Sequence, residues 1–157
     1  ATWVALAVSS VAGAAQTALQ VINPLTMVAG VLKAGSFFDL RFCPSKTGTA
    51  ATLTPTPYLG PNGTTADTAL RAGGTVTSGG GLNKGFWQSY KVSSNSEIQL
   101  LGANLGNGNW TGAEASTATF TPYAVDVTAA LKISLGVSQT SAADTPACAF
   151  LGILLHP

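Results

Sequence analysis

Between Val125 and Val137 every odd-numbered position is apolar, Asp126, Thr128, Lys132 and Ser134 lie between them, and Ser138 follows. An apolar side chain at every second position marks a strand with one buried face. The pattern predicts a long strand over 125–137. A second alternation places Phe38, Leu40 and Phe42 on one face and Asp39 and Arg41 on the other. The turn-like Lys33-Ala34-Gly35 precedes it, and Pro44, which cannot donate to a ladder, is expected to end it.

The remaining elements follow from the same reading. Val4, Leu6 and Val8 alternate in a short strand over residues 2–8, whereas "VAGAAQTALQVI" fits either a turn of helix or a strand closing on Leu19, Val21 and Pro24. A Thr-rich strand restarts after Gly48, with Pro55 and Pro57 restricting it to an edge or an irregular stretch. "FWQSYKVSS" and "EIQLLGANLG" form a hairpin around Ser93 to Ser96. "ACAFLGILLHP" closes the chain with Ala147, Ala149, Leu151, Ile153 and Leu155 on one face. Seven to nine strands, Gly- and Thr-rich connections, and no long helix predict an all-β sandwich or barrel.

Charge changes this picture. Of the 157 residues only 8% are charged, against about 25% in an average soluble protein. A folded monomer of this size exposes roughly 7,000 Å², which seven basic and six acidic side chains cover thinly. Hydroxyl and amide groups cover part of the rest. Adjacent apolar pairs recur in the strands as well: Phe37-Phe38, Phe86-Trp87, Leu100-Leu101 and Leu154-Leu155. Neighbouring strand residues point to opposite faces, so each pair is covered on both sides only if something sits on each: a sandwich covers one face, and an oligomer could cover the other.

The net charge of +1 comes with scattered basic residues and no cationic patch, which argues against a nucleic-acid partner. The first 32 residues carry no charged side chain, but Ser9, Ser10, Gln16, Thr17, Gln20, Asn23, Pro24 and Thr26 interrupt them. No apolar run of about 20 residues remains to span a membrane, and the basic start of a signal peptide is missing. The segment reads as part of the mature fold.

Candidate chemistry is sparse. "GGTVTSGGGLNKG" has the glycines and lysine of a phosphate loop, but Lys84 is followed by Gly85 and a strand, so a surface loop is expected over 61–85. His156 is the one histidine and sits beside the chain end. The carboxylates Asp39, Asp67, Glu97, Glu114, Asp126 and Asp144 show no paired spacing, and no ligand spacing for a metal appears. No enzyme activity, cofactor or metal is expected. Cys43 and Cys148 read as buried free thiols, with a disulfide as the alternative. Asn62-Gly63-Thr64 and Asn109-Trp110-Thr111 match the N-glycosylation pattern. Trp110 and Tyr123, beside polar loops, could stack on a sugar or pack in the core.

"VINPLTMVAGVLKAGSFFDLRFCPSKTG" resembles the opening of the tumour-necrosis-factor-like jelly rolls of phage virions, found in capsid decoration (cement) proteins and in fibre knobs. A Leu-Lys-x-Gly turn leads into a strand of alternating apolar and charged residues. The long alternating strand, the Ala-Asp turn and the last apolar strand are similar to the close of those domains. The resemblance covers about residues 17–157 and departs from the family in an Ala-rich start and a long 61–85 loop.

It implies a jelly-roll sandwich of about eight antiparallel strands over 21–157, preceded by an apolar segment over 1–20. It also implies a homotrimer, a place on the capsid surface and the major capsid protein as partner. Trp3, Val4, Leu6 and Val8 are then the candidate docking residues. The alternative is a receptor-binding fibre tip that recognises host glycan through Trp110 and Tyr123.

Overall fold

A computed structural model describes residues 2–4, 9–10, 20–47, 52–76, 85–104, 110–112, 120–140 and 143–156. Its strands are β1 (Thr2–Val4), β2 (Ser9–Ser10), β3 (Gln20–Met27), β4 (Phe37–Thr47), β5 (Leu53–Gly60), β6 (Thr68–Ala69), β7 (Phe86–Ser94), β8 (Glu97–Asn104), β9 (Trp110–Gly112), β10 (Thr121–Ala124), β11 (Leu131–Gln139) and β12 (Thr145–His156). The described residues contain no helix.

One sheet runs β1-β12-β4-β7-β8-β10, with β2 also on β12 and β9 also on β8; the other runs β3-β11-β5-β6. All the pairings between strands are antiparallel. The chain passes from one sheet to the other between β2 and β3, β3 and β4, β4 and β5, β6 and β7, β10 and β11, and β11 and β12. This is a jelly roll, with β8 to β10 widening the first sheet. Between the sheets lies one core, in which Phe38 stacks on Tyr90 and Phe42 on Phe86, each pair with centroids 5.1 Å apart. Leu25, Met27, Leu59, Ile133 and Leu135 face them from the second sheet.

Several predicted elements are re-cut. The strand expected over 125–137 begins only at Leu131. Asp126 accepts hydrogen bonds from the Thr128 amide at 2.9 Å and the Thr128 hydroxyl at 2.6 Å, which closes a turn. Val125 and Val127 still reach the core from this turn, so the alternation records burial and not extension alone.

Pro44 does not end β4, which continues to Thr47. Beyond Phe42 the strand has lost β7 and keeps only β12, so a missing amide hydrogen is tolerated there. Pro55 and Pro57 lie in β5, which pairs with β11 along its full length. On the other side their carbonyls accept from the Gly73 and Leu70 amides at 2.8 and 2.9 Å, a role proline can fill.

In β12 the pairing with β4 shifts between Cys148 and Phe150. This bulge moves Cys148 into the core with Leu151 and Ile153, in place of the expected Ala147. Gln20–Met27 is strand, which settles the end of the helix-or-strand segment; residues 11–19 lie outside the described residues.

In the 61–76 part of the predicted surface loop, Asp67 is nearly buried and accepts from the amides of Asn62, Gly63 and Thr64 at 3.1, 2.6 and 3.1 Å. Its carboxylate organises the turn and holds Asn62, the first of the two glycosylation-pattern asparagines.

Candidate functional site

The face of the first sheet that points away from the core carries Phe37 and Trp87, two of the four exposed large hydrophobic residues among those described. Alternation in β4 buries Phe38, Leu40 and Phe42 and turns Phe37, Asp39, Arg41 and Cys43 outward. Register then fixes their neighbours: Arg41 lies opposite Trp87 of β7, and Asp39 opposite Ser89 of β7 and Leu154 of β12. Phe37 is 42% exposed and Trp87 37%, although Phe38 and Phe86 beside them are buried. Leu154 is half-buried, as is Leu101 at a register shift between β7 and β8. Thus the four pairs Phe37-Phe38, Phe86-Trp87, Leu100-Leu101 and Leu154-Leu155 lie in this sheet.

Polar groups are set among these side chains in fixed pairings. The Arg41 guanidinium carbon lies 4.2 Å from the Trp87 ring centroid, a cation–π contact. Asp39 accepts a hydrogen bond from the Ser89 hydroxyl through one carboxylate oxygen, and its other oxygen is 3.2 Å from His156 Nε2. Beside them a depression of about 650 Å³ is lined by Arg41, Cys43, Trp87, Asn104 and Phe150 among others.

Serine, aspartate and histidine meet here, but the carboxylate stands in the middle. Nucleophile activation needs the imidazole between hydroxyl and carboxylate, so that it can take the serine proton. The arrangement pins three strands together and gives the Ser89 hydroxyl no base beyond a carboxylate. The other described carboxylates have separate partners: Asp67 its loop, Asp126 its turn, Asp144 the Lys46 ammonium, and Glu97 the Ser93 hydroxyl. Glu114 lies outside the described residues.

Among the described residues no group of three or more His, Cys, Asp or Glu could hold a metal ion, and no helix is long and apolar enough to cross a membrane. Cys43 and Cys148 are free thiols. Burial pushes both up, Cys148 to about 11.

The two candidate ligand surfaces of the sequence fare differently. In the N-terminal segment Thr2, Trp3 and Val4 pair with Leu155, Leu154 and Ile153, and Ser9 and Ser10 with Cys148 and Ala147. Their backbone is therefore the edge of the same sheet, next to β12. Leu6 and Val8 lie outside the described residues, as do the side chains of Trp3 and Val4.

Trp110 pairs with Asn104 and Tyr123 with Ile98 along the same strand β8. Six residues of strand set these positions about 20 Å apart, so the two are not brought together. Tyr123 is partly buried and its ring meets Tyr90 edge-on at 6.0 Å, which turns it toward the core.

Sequence reasoning did not find the Asp39–Ser89–His156 cluster, because it joins residues 50 and 117 positions apart. Comparison with protein-family models, curated proteins and solved structures returned no match.

Proposed function

We propose that this chain is a non-enzymatic structural protein of a phage virion, a homotrimer that decorates the capsid surface and stabilises the head. One observation carries the reading: the outer face of the β1-β12-β4-β7-β8-β10 sheet presents Phe37, Trp87 and Leu154, set among Asp39, Arg41, Ser89, Lys91 and His156. Side chains of this size are costly to leave in water. A closed ring of three copies covers the same face on each copy with a heterologous contact.

The low charge of the chain supports the same reading, because a surface buried between subunits has little use for Lys or Glu. Trp3 and Val4 at the edge of that sheet, with Leu6 and Val8, remain the proposed contact to the major capsid protein. The reading requires no cofactor, metal, nucleic acid or membrane.

The test is in two steps. Native mass spectrometry at micromolar concentration is expected to show a trimer, and a stable monomer counts against the assembly. The purified protein is then added to phage heads stripped of their decoration and sedimented with them. Near-stoichiometric occupancy is the expected result; attachment to host cells with no attachment to heads favours a fibre tip.

A further inference from the structure

At the far end of the sandwich, Lys46 Nζ lies 2.5 Å from Asp144 Oδ2, and the two side chains are 0% and 2% exposed. A lysine is seldom buried to this extent, since its ammonium keeps its hydration shell whenever the stem can reach water. The strands leave it no such path. Lys46 is paired with Pro146 near the start of β12, and Asp144 stands two residues before it. The Asp144 carbonyl is in turn held by Gln139 Nε2 at 3.1 Å, itself buried at the end of β11.

From this geometry we infer that Lys46 and Asp144 condense to an intramolecular isopeptide bond, a covalent staple between β4 and the start of β12. The carboxyl carbon is at most one C–O bond farther from the amine than the 2.5 Å contact, within the range at which bound groups react. Bulk water, which would otherwise keep both groups charged and solvated, is excluded.

The balance of the step is simple. The ammonium gives one proton to the carboxylate, and the neutral amine attacks the carboxyl carbon. The C–N bond forms, the C–OH bond breaks, and one water leaves with the carboxyl oxygen and two protons. Nothing is oxidised or reduced, and no co-reactant is needed. The product replaces two buried charges by one neutral amide, closing a covalent loop between residues 98 positions apart.

Intact mass under denaturing, reducing conditions tests this. The wild-type chain is expected about 18 Da lighter than its sequence, the mass of one water. Trypsin, which does not cut at an acylated lysine, is expected to release a branched peptide joining residues 42–71 to residues 133–157.

Lys46→Arg and Asp144→Ala are expected at their full sequence masses. Asp144→Asn is expected to form the same amide with loss of ammonia, about 17 Da. A wild-type chain at full mass after folding, or a loss of water without the branched peptide, overturns the inference. Neither outcome depends on whether any variant folds.

Discussion

Replacing Phe37 and Trp87 together by serine removes the two most exposed aromatic side chains of the outer sheet face while leaving the core intact. Phe37 is 42% exposed and Trp87 37%. An aromatic side chain carries about 150–250 Å², so each has on the order of 80 Å² left to cover. At about 25 cal/mol per Å² this is ~2 kcal/mol for each side chain, or ~4 kcal/mol for each subunit. Even half of that, acting in all three subunits, raises the concentration needed for trimers by roughly a hundredfold.

The monomer loses the Arg41–Trp87 contact, about 0.5–1 kcal/mol at an exposed position, and so melts only a few degrees lower. Phe38→Ala, by contrast, empties a buried site stacked on Tyr90 and costs about 3–5 kcal/mol of folding stability. The assay is a dilution series read by native mass spectrometry, with thermal melts alongside. A double variant that stays trimeric with an unchanged dilution midpoint refutes the placing of the interface on this face.

Ile133→Asp places an unpaired carboxylate at a fully buried position of β11 and is expected to prevent folding, while Lys132→Ser on the other face is mild; circular-dichroism melts that rank them the other way disprove the register. Tyr90→Phe removes the hydroxyl that donates to Gln88 Oε1 at 2.6 Å, leaving a buried acceptor unpaired, and is expected to lower stability in urea by about 1–3 kcal/mol. The Cys148 thiol is raised by burial from 9.0 to about 11 in the folded chain. Between those pH values the unfolded chain releases this proton and the folded chain keeps it, so the thiol's contribution to stability, on the order of 2 kcal/mol, is present below pH 9 and lost as pH rises toward 11. Cys148→Ala should flatten that part of the denaturation profile, and an unchanged slope contradicts the assignment.

The sequence by itself determined most of the large apolar side chains of the core. Alternation in "FFDLRFC" placed Phe38, Leu40 and Phe42 in the core, and the odd positions from Val125 to Val137 that it marked as apolar include five large side chains that are buried between Val125 and Leu135, with Val137 a sixth. The apolar part of burial is written locally, because a large apolar side chain is costly to leave in water whatever the backbone does around it, whereas the buried Lys46, Gln88, Ser134, Gln139 and Asp144 carry no such mark. Where each strand stops was decided by tertiary structure. Pro44 and Pro57 are tolerated because of which neighbour lies on which side, a fact no local window contains. The bulge in β12 exchanged Ala147 for Cys148 in the core through a one-residue shift that alternation cannot anticipate.

The same division holds for the sites. The doubled apolar pairs were visible in the sequence, and their need for a second cover followed from strand geometry alone. Only the sheet order put the four named pairs into one sheet, brought Asp39 between Ser89 and His156, and set Lys46 against Asp144. These are contacts between residues 50 to 117 positions apart. In an all-antiparallel sandwich such contacts are fixed by register, which the whole set of strands settles together and no single stretch of sequence encodes.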